Sequence, residues 1–80
     1  MKITVNKEAQ KQRFKKEVDN ALSLIVQGAE RGLSKVTYRK IRGEHYNSFD
    51  LIDAVVKETE GSVRGRINQQ TFEVEFIIKY

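Results

Sequence analysis

The N-terminal third of the chain carries an apolar stripe at helical spacing. Starting at Phe14, apolar residues recur every three or four positions, so that one face of a helix would hold Phe14, Val18, Ala21, Leu22, Ile25 and Ala29. Asn6 is a suitable N-cap for this helix, and Gly32 is a suitable left-handed residue at its end. Before Phe14, the same arc holds Lys7, Gln10 and Lys11. The first two turns therefore have no apolar face of their own.

A second, shorter helix is predicted to begin at Asn47. Asp50 stands three residues later, where it completes a capping box with the asparagine. Gly61 marks the end of this helix. Its apolar side is predicted to consist of Phe49, Ile52, Val55, Val56 and Thr59.

Strand-like alternation occurs in the segments that flank the two helices. Residues 35–41 are rich in β-formers, and residues 2–5 alternate apolar and polar positions over a shorter stretch. Residues 63–67 and 72–76 form a C-terminal antiparallel hairpin. The order (β)-α-β-α-β-β predicts a single small α+β domain over residues 1–80, with two helices on one face of a three- to four-stranded sheet. Within it, we expect residues 1–13 to be partly exposed or frayed.

The charges of the hairpin indicate a pairing register. When Ile67 is placed opposite Phe72, Arg66 faces Glu73 and Arg64 faces Glu75, whereas a shift of one residue sets arginine against apolar side chains. This register allows a two-residue loop at residues 69–70 or a four-residue loop at Asn68–Thr71, of which the longer is favoured. It sets Gly65 opposite Val74, where the glycine marks a bulge or admits a helix side chain close to the backbone. The inner face of the hairpin would then hold Val63, Ile67, Phe72, Val74, Phe76 and Ile78.

Composition and charge narrow the class of protein. The 80 residues include no cysteine or proline and carry a net charge of +4, with basic blocks at residues 1–16 and 35–46, each followed by an acidic block. The longest apolar run, residues 24–26, is too short to span a bilayer, and no signal-peptide pattern is present. We therefore expect a cytoplasmic protein without membrane association.

The sequence offers few groups for catalysis or metal binding. The only histidine, His45, lies so near Ser48 and Asp50 in sequence that the three rarely achieve a base–nucleophile–orienter geometry. Gly61 and Gly65 lack the lysine and serine spacing of a phosphate-binding loop. We expect no enzymatic activity, no cofactor and no metal ion.

Two basic segments are the candidate partner-binding sites. The first lies at the start of the first helix and holds Lys7, Lys11, Arg13, Lys15 and Lys16. The second lies on and after the 35–41 strand and holds Lys35, Arg39, Lys40, Arg42, His45 and Tyr46. Arginine and tyrosine are enriched at protein-interaction hot spots, whereas clustered lysine and arginine also suit phosphates. Solvated charge without a partner is the alternative for both segments.

Two classes of function are compatible with these features. The favoured class is a small protein-binding module, a regulator or inhibitor of a larger protein machine, which uses a basic segment or an open sheet edge. The alternative is a nucleic-acid-binding protein that uses residues 7–16 and 35–42 together, on one continuous surface. A protein partner is favoured because no recognition helix, stacking platform or GXXG clamp is visible. The start of the first helix, which has no apolar face, and an open sheet edge both also permit a homodimer. The size and charged composition are typical of accessory proteins of phages and mobile elements.

Overall fold

Two helices lie on one face of a three-stranded antiparallel sheet in the computed structural model, which describes residues 2–39 and 46–79. The central strand of the sheet is the last one in the chain, since the strand order is β1-β3-β2. This arrangement confirms the predicted α+β class and the C-terminal hairpin. The elements in chain order are α1 (Lys7–Glu30), β1 (Lys35–Tyr38), α2 (Ser48–Glu58), β2 (Val63–Ile67) and β3 (Val74–Ile78).

Helix α1 begins and ends at the capping residues that the sequence indicated. The side chain of Asn6 accepts a hydrogen bond from the backbone N–H of Ala9 at 3.0 Å. At the other end, Gly32 adopts a φ of +77°, and the N–H of Leu33 donates to the carbonyl of Gly28 at 2.9 Å. The first two turns are helical but exposed, because their core-facing arc carries lysine instead of apolar side chains.

Helix α2 begins with the predicted capping box, but its buried side differs from the prediction. Asn47 and Asp50 exchange side-chain to backbone hydrogen bonds of 2.9 and 3.2 Å. Leu51, Ile52 and Val55 are buried against the sheet and α1. The assignment of Phe49 to this side was wrong, since 65% of its surface is exposed. The buried arc is centred on Leu51 and Val55, so Phe49 falls on the flank of the helix.

The sheet has three strands within the described residues. Residues 2–5, considered as a fourth strand, belong to none and are exposed, with Ile3 at 86%. The start of α1 extends past the core, so the segment before it lies away from the sheet. The strand predicted over residues 35–41 ends at Tyr38, and residues 40–45 lie outside the described part of the chain.

The predicted register of the hairpin was wrong by two residues. In the structure Arg66 lies opposite Glu75, Gly65 opposite Phe76, and Ile67 opposite Val74. A shift of two residues keeps every side chain on the same face, because the side-chain period of a strand is two. For the paired residues of β2 and β3, the predicted assignment to the inner or the outer face is therefore correct although the register is not.

The hairpin loop lies one residue later than predicted, at residues 69–72. Asn68 still belongs to the ladder, since its N–H donates to the carbonyl of Glu73 at 2.9 Å. Its side chain also accepts from the backbone N–H of Thr71 at 3.2 Å, which closes the turn. Phe72 completes the turn with a φ of +60° and is 71% exposed, so its assignment to the inner face was wrong.

The row Val36–Phe76–Gly65 runs across the inner face of all three strands, and both helices pack against it. On one side, α1 approaches so closely at Gly28 that an added Cβ would overlap a methyl group of Val36. On the other side, a Cβ on Gly65 would lie 2.6 Å from Cγ2 of Ile52. Gly65 thus admits a helix side chain close to the strand backbone, as predicted. Phe76, which is fully buried, fills the space between these two contacts.

We expect Gly65→Ala to destabilise the protein by about 1–3 kcal/mol, the usual cost of overpacking a well-filled core. The free energy of unfolding from urea titration measures this loss. In an Ile52→Ala background the penalty of Gly65→Ala should shrink, because the methyl groups that it meets are gone. Arg64→Ala, at the neighbouring exposed position, is the control for strand propensity. A penalty that is equal in both backgrounds would contradict the proposed contact.

Candidate functional site

The side of the sheet without helices, called here the outer sheet face, is lined by charged residues. Strand alternation sends Val36, Val74 and Phe76 into the core and their neighbours outward. The outward positions on the three strands are Lys35, Thr37, Arg64, Arg66, Glu75 and Ile77. The central strand supplies carboxylates, and the two edge strands supply the cations.

Glu75 is the centre of the ionic contacts on the outer sheet face. Its carboxylate accepts from Nε of Arg66 at 2.8 Å, lies 3.7 Å from Nζ of Lys35, and accepts from Nδ2 of Asn68 at 3.5 Å. The hydrogen bond from Arg66 is the main cause of a lowered pKa for Glu75. The Asn68 hydrogen bond and the Lys35 charge lower this pKa further, and desolvation opposes them. The carboxylate therefore stays ionised and neutralises charge on both edge strands.

A second ion pair joins Arg39 to Glu73 at 3.0 Å. The predicted pairs of Arg66 with Glu73 and of Arg64 with Glu75 were wrong, because the register differs by two residues. Arg64 instead lies opposite Ile77 and is exposed. Arg64 forms no salt bridge with any of the described residues, so its positive charge on β2 is not neutralised by them.

The first basic segment lies along the start of α1. Lys7, Lys11, Arg13, Lys15 and Lys16 are all exposed there. Lys7 and Lys11 continue the arc of the buried stripe beyond the core. This segment belongs to the helix layer of the molecule, which is separated from the outer sheet face by the sheet.

The second basic segment is only partly described, and its described members do not form one surface. Lys35 and Arg39 are on the outer sheet face, in ion pairs with glutamates. Tyr46 is 7% exposed, with its ring centroid 4.8 Å from that of Phe14, so its prediction as an exposed contact was wrong. It lies in the core because its ring packs edge to face against Phe14 of α1. The remaining predicted members, Lys40, Arg42 and His45, lie outside the described residues.

The continuous basic surface that the nucleic-acid hypothesis requires is not formed by the described parts of these two segments. The first segment lies in the helix layer, whereas Lys35 and Arg39 point from the opposite side of the sheet. The sheet face also lacks aromatic side chains in its paired rows, since Tyr38 and Phe76 pack against the core. Bases would have no stacking platform there.

Within the described parts of the chain, no three histidine, aspartate or glutamate side chains cluster to hold a metal ion. No helix among these residues has the length and apolar character needed to cross a membrane. The chain matches no protein-family model, no curated protein and no solved structure. The geometry of the described residues is therefore the basis for assigning a function.

Strand β2 has a free edge that can serve as a binding element of the sheet. Strand β2 pairs with β3 on one side, and no other strand within residues 2–39 and 46–79 pairs with it. Backbone hydrogen bonds join Ser62 to Lys79 and Asn68 to Glu73 at the two ends of this pairing. Since bonded pairs alternate in an antiparallel ladder, Arg64 and Arg66 bond to β3, and the backbone groups of Val63, Gly65 and Ile67 point to the free edge.

The flank of α2 that faces away from α1 carries exposed apolar surface, and the order of the elements places this flank on the side of the free edge. Helix α2 covers β2, and α1 covers the other two strands. The flank of α2 that faces α1 lines a groove of about 410 Å³ with Ala54 and Lys57. The opposite flank carries Phe49, which is 65% exposed, and Val56, which is half-buried. We define the β2 edge site as the free backbone edge of β2, Phe49 and Val56 on the helix side, and Arg64 and Arg66 on the outer side.

We expect the stability of the protein to decrease at acidic pH partly through Glu75. Because its pKa is lower in the folded state than its ordinary value of 4.5, its contribution is complete above that pH. The contribution is lost as the pH falls through the folded-state pKa. Urea unfolding of the wild type and of Glu75→Gln, from about pH 7 to about pH 3, measures this difference.

In this measurement the unfolding free energy of Glu75→Gln should depend less on pH than that of the wild type. Glu58→Gln changes an exposed carboxylate of α2 and serves as the matched control. It should keep the wild-type dependence. Equal pH dependence for the wild type and Glu75→Gln would contradict the ionic role of Glu75.

Proposed function

We propose that this chain is a non-enzymatic protein-binding module that binds its partner by strand addition at the β2 edge site and regulates or inhibits a larger protein assembly. The observation that carries this proposal is the coincidence of an unpaired strand edge with exposed aromatic surface. Backbone hydrogen bonds along such an edge provide affinity, and alternate side-chain contacts provide specificity. Both components are available at one place, on β2 and at Phe49.

The chemistry of β2 supports this use of its edge. Proteins commonly protect edge strands with proline, bulges, charges that point inward, or charged side chains that repel a like-charged strand. Arg64 and Arg66 would repel a basic strand but not an acidic one. β2 has neither proline nor an interruption in its pairing with β3, and its arginines point to the outer sheet face. Gly65, in the middle of the edge, has no side chain to obstruct an approaching backbone. The free N–H and C=O groups are therefore accessible to a second strand.

The alternative, nucleic-acid binding, has weaker support from the geometry. The described basic side chains are divided between the helix layer and the outer sheet face, and those of Lys35, Arg39 and Arg66 are engaged by glutamates. A phosphate backbone would have to compete with these carboxylates for most of the cations of the sheet. The basic start of α1 is the surface that an experiment must test for this alternative.

We expect a partner to be lost on Phe49→Ser and retained on Phe72→Ser. The two phenylalanines are 65% and 71% exposed, so both changes remove similar apolar surface, but only Phe49 belongs to the β2 edge site. Affinity capture from a lysate, quantified by mass spectrometry, should show the same specific protein with the wild type and Phe72→Ser. Its recovery should fall about tenfold with Phe49→Ser, a size typical of an interface contact. Equal recovery with both variants would exclude the β2 edge site.

We expect no binding of labelled duplex or single-stranded DNA or RNA at moderate salt. Any weak binding at low salt should disappear when Lys11, Lys15 and Lys16 are changed together to glutamate. Titration by fluorescence anisotropy at several salt concentrations measures both effects. Tight binding whose logarithm falls with log salt by about 0.9 per phosphate contact would instead establish the nucleic-acid alternative.

A further inference from the structure

Resting on the proposed function, we infer that the β2 edge site recognises an extended segment of a partner protein in which acidic and apolar residues alternate. The inference comes from the side chains above and below the free edge of β2. The same side chains make a second copy of this chain an unfavourable partner at this edge.

The pleat of the sheet determines where the side chains of an added strand point. Residues opposite Arg64 and Arg66 would point to the outer sheet face, since directly opposite residues share a face. Residues opposite Val63, Gly65 and Ile67 would point to the helix side and approach Phe49 and Val56. An added strand therefore meets cations at one set of alternate positions and apolar surface at the other.

The outer positions favour carboxylates because β2 carries positive charge that the described residues do not fully neutralise. Among the described residues Arg64 has no salt bridge, and Arg66 shares Glu75 with Lys35. An acidic side chain opposite either arginine forms a favourable cross-strand pair, whereas lysine or arginine there is unfavourable. Strand β3 already has this pattern, since Val74-Glu75-Phe76 presents one carboxylate to Arg66 between two apolar residues.

The inner positions favour apolar residues of substantial size. Gly65 provides no side chain at the centre of the edge, so a residue opposite it has room to extend toward α2. Phe49 and Val56 present apolar surface on that side. Covering Phe49 removes an aromatic ring from water, which is a main source of affinity at protein interfaces.

A second copy of β2 is a poor occupant of the same edge. Antiparallel pairing centred on Gly65 would place Arg64 opposite Arg66 of the second copy, and a shift of two residues would place an arginine opposite its own equivalent. A shift of one residue would turn the arginines toward the apolar side. Like charges thus oppose both face-preserving registers that overlap most of β2, which argues against a homodimer through β2.

The N-terminal segment of the chain also fits this edge poorly. Residues 2–5 alternate polar and apolar side chains, and Ile3 and Val5 are exposed. However, their polar positions hold Lys2 and Thr4, neither of which supplies a carboxylate to Arg64 or Arg66. The charge of β2 therefore favours an acidic segment from a different protein.

Synthetic peptides test this inference directly. The probes are two fluorescein-labelled eight-residue peptides, one alternating glutamate with valine and one alternating lysine with valine, titrated by anisotropy. We expect the glutamate peptide to bind at least about tenfold more tightly, because attraction replaces repulsion at two cross-strand positions. Hydrogen exchange followed by NMR should show slower exchange at the amides of Val63, Gly65 and Ile67 when the glutamate peptide is bound.

Charge reversal on the protein provides the matched control. Arg64→Glu should weaken the glutamate peptide about tenfold and strengthen the lysine peptide, which also shows that the variant is folded. Lys16→Glu changes an exposed cation of α1 and should alter neither affinity by more than about twofold. Sedimentation should find the wild type monomeric and Arg64→Glu partly dimeric, because the new carboxylate would face Arg66 of the second copy.

Three results would overturn the inference. They are equal affinity for both peptides, protection at amides other than those of the free edge, and a wild-type dimer that Arg64→Glu weakens. If the peptides bind equally while capture of a partner still depends on Phe49, the acidic preference fails and the proposed function stands. If neither peptide binds and Phe49→Ser leaves capture unchanged, both fail.

Discussion

The contact row Val36–Phe76–Gly65 is the constraint on which the rest of the structure depends. It crosses all three strands, and each helix approaches it where one partner lacks a side chain: α1 through Gly28 over Val36, and α2 through Ile52 over Gly65. These close approaches set the height of both helices above the sheet. The fully buried Phe76 fills the space between them, so the alignment of β3 with both neighbours is determined by the same packing.

This placement of the helices also creates the β2 edge site. Since Ile52 lies directly above Gly65, α2 sits over an edge strand, and no other helix or strand of residues 2–39 and 46–79 covers its outer flank. Phe49 consequently remains exposed, whereas Phe76 and Tyr46 are buried in the core. The proposed binding surface is thus a consequence of how this small core is built.

The charges follow the same geometry. Glu75 on the central strand lies between cations of both edge strands and interacts with Lys35 and Arg66 together. Such pairs at a surface contribute little stability individually, but they decide which charge remains available. Arg64 lies opposite Ile77, and none of the described residues forms a salt bridge with it. Although the net charge of the chain is modest, the positive charge of Arg64 is therefore available at the free edge of β2.

Helices, their caps and the inward or outward direction of strand residues were determined by the sequence itself, because they depend on local periodicity and on residues such as Asn6, Asn47 and Gly32. The sequence predicted an open sheet edge but not which strand would provide it. The hairpin register, the exposure of Phe49 and the burial of Tyr46 were decided by tertiary structure. Alternation specifies a strand's register only to a multiple of two, and a helical stripe leaves its flanks undecided. Contacts between residues distant in sequence, above all Ile52 over Gly65, resolve both ambiguities.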